Sequence, residues 1–72
     1  MGVLEMKLQF CEKILALRME HGLTLPELAR RSGVPLTMLE ELDRGVVPES
    51  MMVDDAWRLS KVFGCELAEL FR

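Results

Sequence analysis

Apolar residues between Phe10 and His21 recur three and four positions apart, which is the spacing of an amphipathic helix. Gly22 follows at a position where helices commonly end in glycine. Four more segments have the same organisation and are bounded by glycine or proline: helices are predicted from Thr24 to Gly33, from Pro35 to Gly45, from Met51 or Met52 to Phe63, and from Glu66 to Phe71. The pattern therefore predicts an all-α protein with five helical segments.

Local residues also predict how these helices begin. Thr24 and Glu27 are spaced as in a capping box, in which each side chain accepts a hydrogen bond from a free backbone N–H group of the first turn. Pro35 is expected in the first turn of the third helix, where its missing N–H group is tolerated. Ser50 is the candidate cap of the fourth helix.

The first nine residues allow two interpretations. Leu4, Met6 and Leu8 alternate with polar residues, which is the period of a β-strand that would pair with a second subunit. Met6 also lies four positions before Phe10, on the apolar stripe of the first helix, which predicts a helical extension instead. Both conformations remain open at this point.

Composition limits the chain to one small domain. Half of its 72 residues are apolar, and 9 Lys and Arg stand against 12 Asp and Glu, a net charge of -3. The organisation is an N-terminal extension, residues 1–9, followed by one domain, residues 10–72. No apolar run is long enough to span a membrane. No basic and apolar leader precedes the domain, so a cytoplasmic protein is expected.

The sequence contains no pattern typical of catalysis or metal binding. Cys11 and Cys65 stand far apart, with no CxxC pair and no metal-ligand spacing, so we expect reduced thiols, no metal and no cofactor. Neither a glycine-rich phosphate loop nor a nucleophile constellation is present. A chain of this size also rarely has room for a ligand cleft of several hundred Å³. An enzyme is therefore not expected.

The second and third predicted helices, residues 24–44, are joined by a turn at Gly33, which is a helix-turn-helix arrangement. Residues 10–71 resemble the phage-repressor/Cro type of helix-turn-helix domain, the XRE-like family, almost end to end. The matching segments are Ile14-x-x-Leu17-Arg18, Gly22-Leu23-Thr24, Glu27-Leu28-Ala29, Gly33-Val34, Leu39-x-x-Leu42-Asp43-x-Gly45, and Phe63-Gly64 with Leu67 and Leu70. The resemblance implies a lambda-repressor-like five-helix bundle whose helix 36–44 enters the major groove of double-stranded DNA. It also implies a homodimer that reads two half-sites about one helical turn apart and regulates transcription.

The resemblance further implies which residues would carry binding. Its base-facing positions are occupied by Leu36, Thr37, Glu40 and Glu41, and its backbone-facing positions by Thr24, Arg30, Arg31, Met38 and Arg44. The candidate dimer residues are Leu67, Leu70 and Phe71, with Leu4 to Leu8 as the alternative surface. Arg18 is expected to form an ion pair with Asp43 inside the domain instead of contacting DNA.

The charge of the third helix supports a second interpretation. From Leu36 to Arg44 three acids stand against one arginine, so this segment carries -2, and phosphates repel acids. The alternative function is a helix-turn-helix-fold module for protein interaction or dimerisation that has lost DNA binding. Its partner would contact a surface formed by Leu36, Met38 and Val46. Trp57 is expected in the core, with a partner-facing position as the alternative.

Overall fold

Five helical segments are present in the computed structural model, which describes residues 2–72, but only four of them are α-helices. They are α1 (Val3–Glu20), α2 (Leu25–Ser32), α3 (Leu36–Asp43) and α4 (Val53–Phe63), followed by a 3₁₀ helix (Leu67–Phe71). No strand occurs between residues 2 and 72. The all-α prediction is confirmed. The predicted five-helix bundle is wrong, because the last segment is a short 3₁₀ helix.

The C-terminal segment is a 3₁₀ helix because its backbone hydrogen bonds and its apolar residues follow a three-residue period. The N–H group of Glu69 donates to the carbonyl of Glu66 at 3.0 Å. Leu67 and Leu70 lie on one side of a helix that has three residues per turn, and Leu70 is fully buried. This segment follows Gly64, which ends α4 in a left-handed conformation.

The N-terminal extension is helical. Because α1 starts at Val3, the strand alternative is wrong for residues 3–9, and Met1 lies outside the described residues. Phe10 and Ile14, further along the same apolar stripe, are buried in the core. Once these residues anchor the helix, each added turn costs little, since propagation is much easier than nucleation.

The start of α2 is the predicted capping box. The N–H group of Glu27 donates to Thr24 Oγ1 at 3.2 Å, and the N–H group of Thr24 donates to the Glu27 carboxylate at 3.0 Å. The hydrogen bond from the Thr24 backbone lowers the pKa of the Glu27 carboxyl, because the charged form is the better acceptor. The predicted stop at Gly33 is also confirmed, since this residue caps α2 with φ of +79°.

Replacing Glu27 by Gln is expected to remove a stabilising contribution that depends on pH. The folded-state pKa of Glu27 lies below its ordinary value of 4.5. The carboxylate therefore stabilises the folded state above about pH 4.5, and this contribution is lost as the pH falls through the lowered pKa. In urea titrations the variant should unfold before the wild type at neutral pH, and the two should converge in acid. A difference that stays constant with pH would contradict this account.

Two predicted helix starts are corrected. Pro35 is the N-cap of α3 and does not lie in its first turn, and its carbonyl accepts the first helical hydrogen bond. The N-cap of α4 is Met52, so Ser50 does not cap that helix. Instead, the Asp55 carboxylate accepts a hydrogen bond from the Met52 N–H group at 2.9 Å. This arrangement also places an acid at the positive end of the helix dipole.

The core forms where α3 meets α1 and α2, and where α2 meets α4, while the 3₁₀ helix packs against α1 and α4. Its buried apolar residues are Phe10, Cys11, Ile14, Leu23, Leu28, Val34, Leu39, Leu42, Ala56, Leu59, Phe63 and Leu70.

Burial raises the pKa of the Cys11 thiol. The pKa of the Cys65 thiol, which is only partly buried, is raised for the same reason. Both thiols therefore stay uncharged at neutral pH.

No helix within residues 2–72 has the length and apolar character that a membrane span requires.

Candidate nucleic-acid interface

A three-residue turn, residues 33–35, joins α2 to α3. Gly33 takes a left-handed conformation, which is strained for residues with a side chain. Val34 is almost fully buried, and its N–H group donates to the buried Ser32 Oγ at 3.1 Å. The Ser32 hydroxyl in turn donates to the Leu28 carbonyl at 2.7 Å. These contacts fix the conformation of the turn that leads from α2 into α3.

An ion pair holds the other end of α3. Arg18 donates from Nη2 to Asp43 Oδ1 at 3.0 Å and from Nη1 to the Leu23 carbonyl at 3.1 Å. One side chain of α1 therefore connects the segment before α2 to the last residue of α3. The predicted pairing of Arg18 with Asp43 is confirmed. It also neutralises one of the three acids of α3.

Asp43→Asn is expected to lower the free energy of unfolding by about 1 kcal/mol, because a partly exposed ion pair contributes little. Arg18→Ala should cost more, roughly 2 kcal/mol, since the Leu23 carbonyl also loses its donor. Urea unfolding followed by circular dichroism measures both changes. Equal effects of the two substitutions, or none, would show that Arg18 does not bridge these segments.

The free face of α3 carries three of the four predicted base-facing residues. The two core leucines of α3 point into the bundle, whereas Leu36 is 38% exposed and Thr37 and Glu40 are exposed. Glu41 is partly buried at the side of the helix. The exposed face therefore presents an isobutyl group, a hydroxyl and a carboxylate.

The predicted backbone-facing residues differ in what they offer to a phosphate. Arg30, Arg31 and Arg44 are exposed. The Thr24 hydroxyl accepts the capping bond but keeps its own proton to donate. Met38 packs partly buried against the core and has no strong hydrogen-bonding group. Three guanidinium groups and one hydroxyl are thus left for phosphate contact.

Trp57 lies on the surface, 50% exposed, so the prediction of a core position is wrong. The core side of α4 carries Ala56, Leu59 and Phe63, three and four positions apart. Trp57 falls outside this apolar stripe. The spacing of the apolar residues in the sequence could therefore have predicted its exposed position. Lys61, one turn later, places its Nζ 4.8 Å from the ring centre of Trp57.

The indole borders a shallow cleft of about 490 Å³ between α2 and α4, although little room for such a cleft was expected in a chain of this size. Its lining residues are Arg31, Ser32, Trp57, Arg58, Lys61 and Val62. Three of these residues are cations: Arg31 comes from the last turn of α2, while Arg58 and Lys61 come from α4. Sequence reasoning missed this cluster because only the packing of the two helices brings these residues together.

The predicted dimer residues are largely used inside the protomer. Leu70 is fully buried and Leu67 packs against the core. Phe71 stacks on Phe10, with ring centres 5.1 Å apart, and remains 37% exposed. Leu70 therefore offers no surface to a partner, which corrects its assignment.

Exposed apolar side chains gather instead at the N-terminal ends of α1 and α4. Val3, Leu4, Met52 and Val53 are the most exposed of them, and Leu8 is exposed as well. A groove of about 300 Å³ lies between the two helix ends. We call this surface the apolar end.

Comparison of the chain with protein families, curated proteins and solved structures finds no match. Among residues 2–72, no three His, Cys, Asp or Glu side chains are placed to hold a metal ion.

Proposed function

We propose that this protein is a sequence-specific DNA-binding regulator with a lambda-repressor-like helix-turn-helix, and that it inserts α3 into the major groove. The observation that carries the proposal is the way α3 is held. The turn at Gly33 fixes its beginning and the Arg18–Asp43 pair fixes its end. Its first turn is left exposed, which is where helix-turn-helix proteins contact base edges.

Each exposed residue of α3 has a role that its chemistry allows. The Thr37 hydroxyl would hydrogen-bond to a base edge, and the Glu40 carboxylate would accept from a cytosine amino group. Leu36 would contact a thymine methyl group. Arg44 and Arg30 would contact phosphates and set the position of the helix without reading sequence.

A dimer follows from the small number of cations, because one copy offers few phosphate contacts and a second copy doubles them. The apolar end is the surface we assign to the second copy. It holds an apolar groove, and the end of α1 that lines this groove also exposes Leu4 and Leu8. A stable interface needs about 800 Å² per partner, about a sixth of the 4715 Å² that the chain exposes.

Binding of a labelled duplex, followed by fluorescence anisotropy at about 50 and 200 mM salt, tests the proposal. The wild type should bind at low salt and lose affinity steeply at high salt. Arg44→Gln should weaken binding to all sequences alike and reduce the salt slope by about 1. Lys13→Gln, a matched loss of one cation on α1, should leave the slope unchanged. The proposal fails if no duplex binds at low salt.

The acidity of α3 favours a second candidate, a helix-turn-helix-fold module that binds protein. Leu36 and Val46 are exposed, 38% and 49%, beside the carboxylate of Glu40. Exposed apolar side chains with acidic neighbours suit a protein partner better than a phosphate backbone. This candidate predicts that DNA is not bound at low salt by the folded protein.

A further inference from the structure

The cleft between α2 and α4 concentrates positive charges that form no ion pair with an acid among residues 2–72. Arg31, Arg58 and Lys61 line it, whereas the one ion pair within residues 2–72 is Arg18–Asp43. The whole chain carries -3, so everything outside these three cations carries -6. Like charges that share a cleft repel one another, and an anionic ligand would remove that repulsion.

Acidic residues lie near these cations in the sequence but form no ion pair with them. Glu27 precedes Arg31 by one helical turn and is close enough to interact with it electrostatically, but the two side chains do not come within 4.0 Å. Asp54 precedes Arg58 by one turn, but the two form no ion pair within 4.0 Å. Among residues 2–72, no carboxylate lines the cleft. The site is therefore open to an anion from outside.

An exposed aromatic ring lies in the middle of this charge. Trp57 leaves half of its surface in solvent, although burying an indole would be favourable. Lys61 Nζ lies over the ring, 4.8 Å from its centre, which places a cation against one face of the indole. A planar apolar surface surrounded by cations suits a ligand that is itself planar and anionic.

We propose that this cleft binds single-stranded nucleic acid, with one nucleobase stacked on the face of Trp57 that Lys61 does not cover and the adjoining phosphates at Arg31, Arg58 and Lys61. Bases of any type stack on an aromatic side chain, and arginine forks match phosphate oxygens. A duplex hides the faces of its bases, so it would leave the indole unused. An acidic peptide would pair with the cations but offers no planar group to the ring.

This site lies outside α3, because none of its lining residues belongs to that helix. Arg31, which is also a predicted contact to duplex phosphates, lines this cleft. The inference does not depend on duplex binding, and it stands or falls by itself.

Trp57 is the one tryptophan of the chain, so its fluorescence reports on the cleft alone. The probe is an oligothymidylate of about eight nucleotides, added to the full-length protein at about 50 mM salt. We expect saturable quenching. Three phosphate contacts should give a salt slope of about -2, because each contributes about 0.7 in a single strand.

Substitutions separate stacking from charge, and a labelled oligothymidylate measures their affinity. Trp57→Ala should weaken binding between about fivefold and a hundredfold, whereas Trp57→Phe should retain most of it. Arg58→Gln and Lys61→Gln should each reduce the salt slope by about 0.7. Lys7→Gln, a matched loss of one cation on α1, should change neither quantity. If Trp57→Ala does not fold, the salt slopes of Arg58→Gln and Lys61→Gln still test whether the cleft binds the oligonucleotide.

Several outcomes would overturn the proposal. Thymidine monophosphate that binds as tightly as the oligonucleotide would assign the cleft to a free nucleotide. Octaglutamate that quenches Trp57 equally well would assign it to an acidic protein. Absence of quenching at low salt would remove the site altogether. Arg44→Gln keeps the two sites apart, since it should weaken duplex binding and leave oligothymidylate binding unchanged.

Discussion

Leu59→Ala is expected to remove most of the protein's free energy of unfolding at 25 °C. Leu59 lies on α4 and has no exposed surface. Truncating a buried leucine costs about 2–5 kcal/mol, because apolar contacts are lost and a cavity remains. A domain of this size seldom has more than about 3–5 kcal/mol of stability from its core. The substitution therefore removes most or all of the free energy of unfolding.

Circular dichroism at 222 nm and the urea midpoint measure this effect. Met19→Ala is the matched control, since it also truncates a large apolar residue in a helix, but one that is 67% exposed. It should change the midpoint little. A Leu59→Ala variant that unfolds at the same urea concentration as the wild type would mean that α4 does not pack on the core as described.

Glu40→Lys combined with Glu41→Lys is expected to increase the affinity for duplex DNA roughly tenfold or more at low salt. The double substitution changes the charge of residues 36–44 from -2 to +2, since two acids become two bases. If α3 lies in the major groove, the new lysines come close to phosphates. Each new phosphate contact should also steepen the salt slope by about 0.9.

Glu20→Lys combined with Glu69→Lys is the control for net charge. Both glutamates are exposed and neither lies on α3, so the total charge changes by the same amount at other places. This control should increase affinity much less than the α3 substitution. Equal increases would indicate attraction by net charge alone, and no increase from the α3 substitution would rule out docking through that helix.

Local chemistry accounts for the parts of the fold that the sequence predicted well. The capping box at Thr24 and the left-handed glycines at 33 and 64 act within a few residues, so their effects are visible in the sequence. The N-cap predicted for α4 was wrong because Ser50 and Met52 are only two residues apart and either could begin a helix. The hydrogen bond from the Met52 N–H group to the Asp55 carboxylate makes Met52 the N-cap. The 3₁₀ helix was misjudged because its spacing also fits a short α-helix.

The candidate interface was predictable only in part. The resemblance placed Arg18 against Asp43, 25 residues apart, and that pair is formed at 3.0 Å. The prediction that Trp57 lies in the core was wrong, although this residue falls outside the apolar stripe of α4 in the sequence. The cleft could not be predicted, because Arg31 and Arg58 come together only through the packing of α2 on α4.

Selection from a random duplex library tests the central claim most directly. The purified protein is incubated with the library at about 50 and 150 mM salt, and the retained duplexes are sequenced. The account predicts an enriched palindrome whose half-sites lie about one helical turn apart, with fewer duplexes retained at the higher salt. Absence of any enriched sequence at both salt concentrations, from protein shown to be folded, would contradict sequence-specific binding by α3.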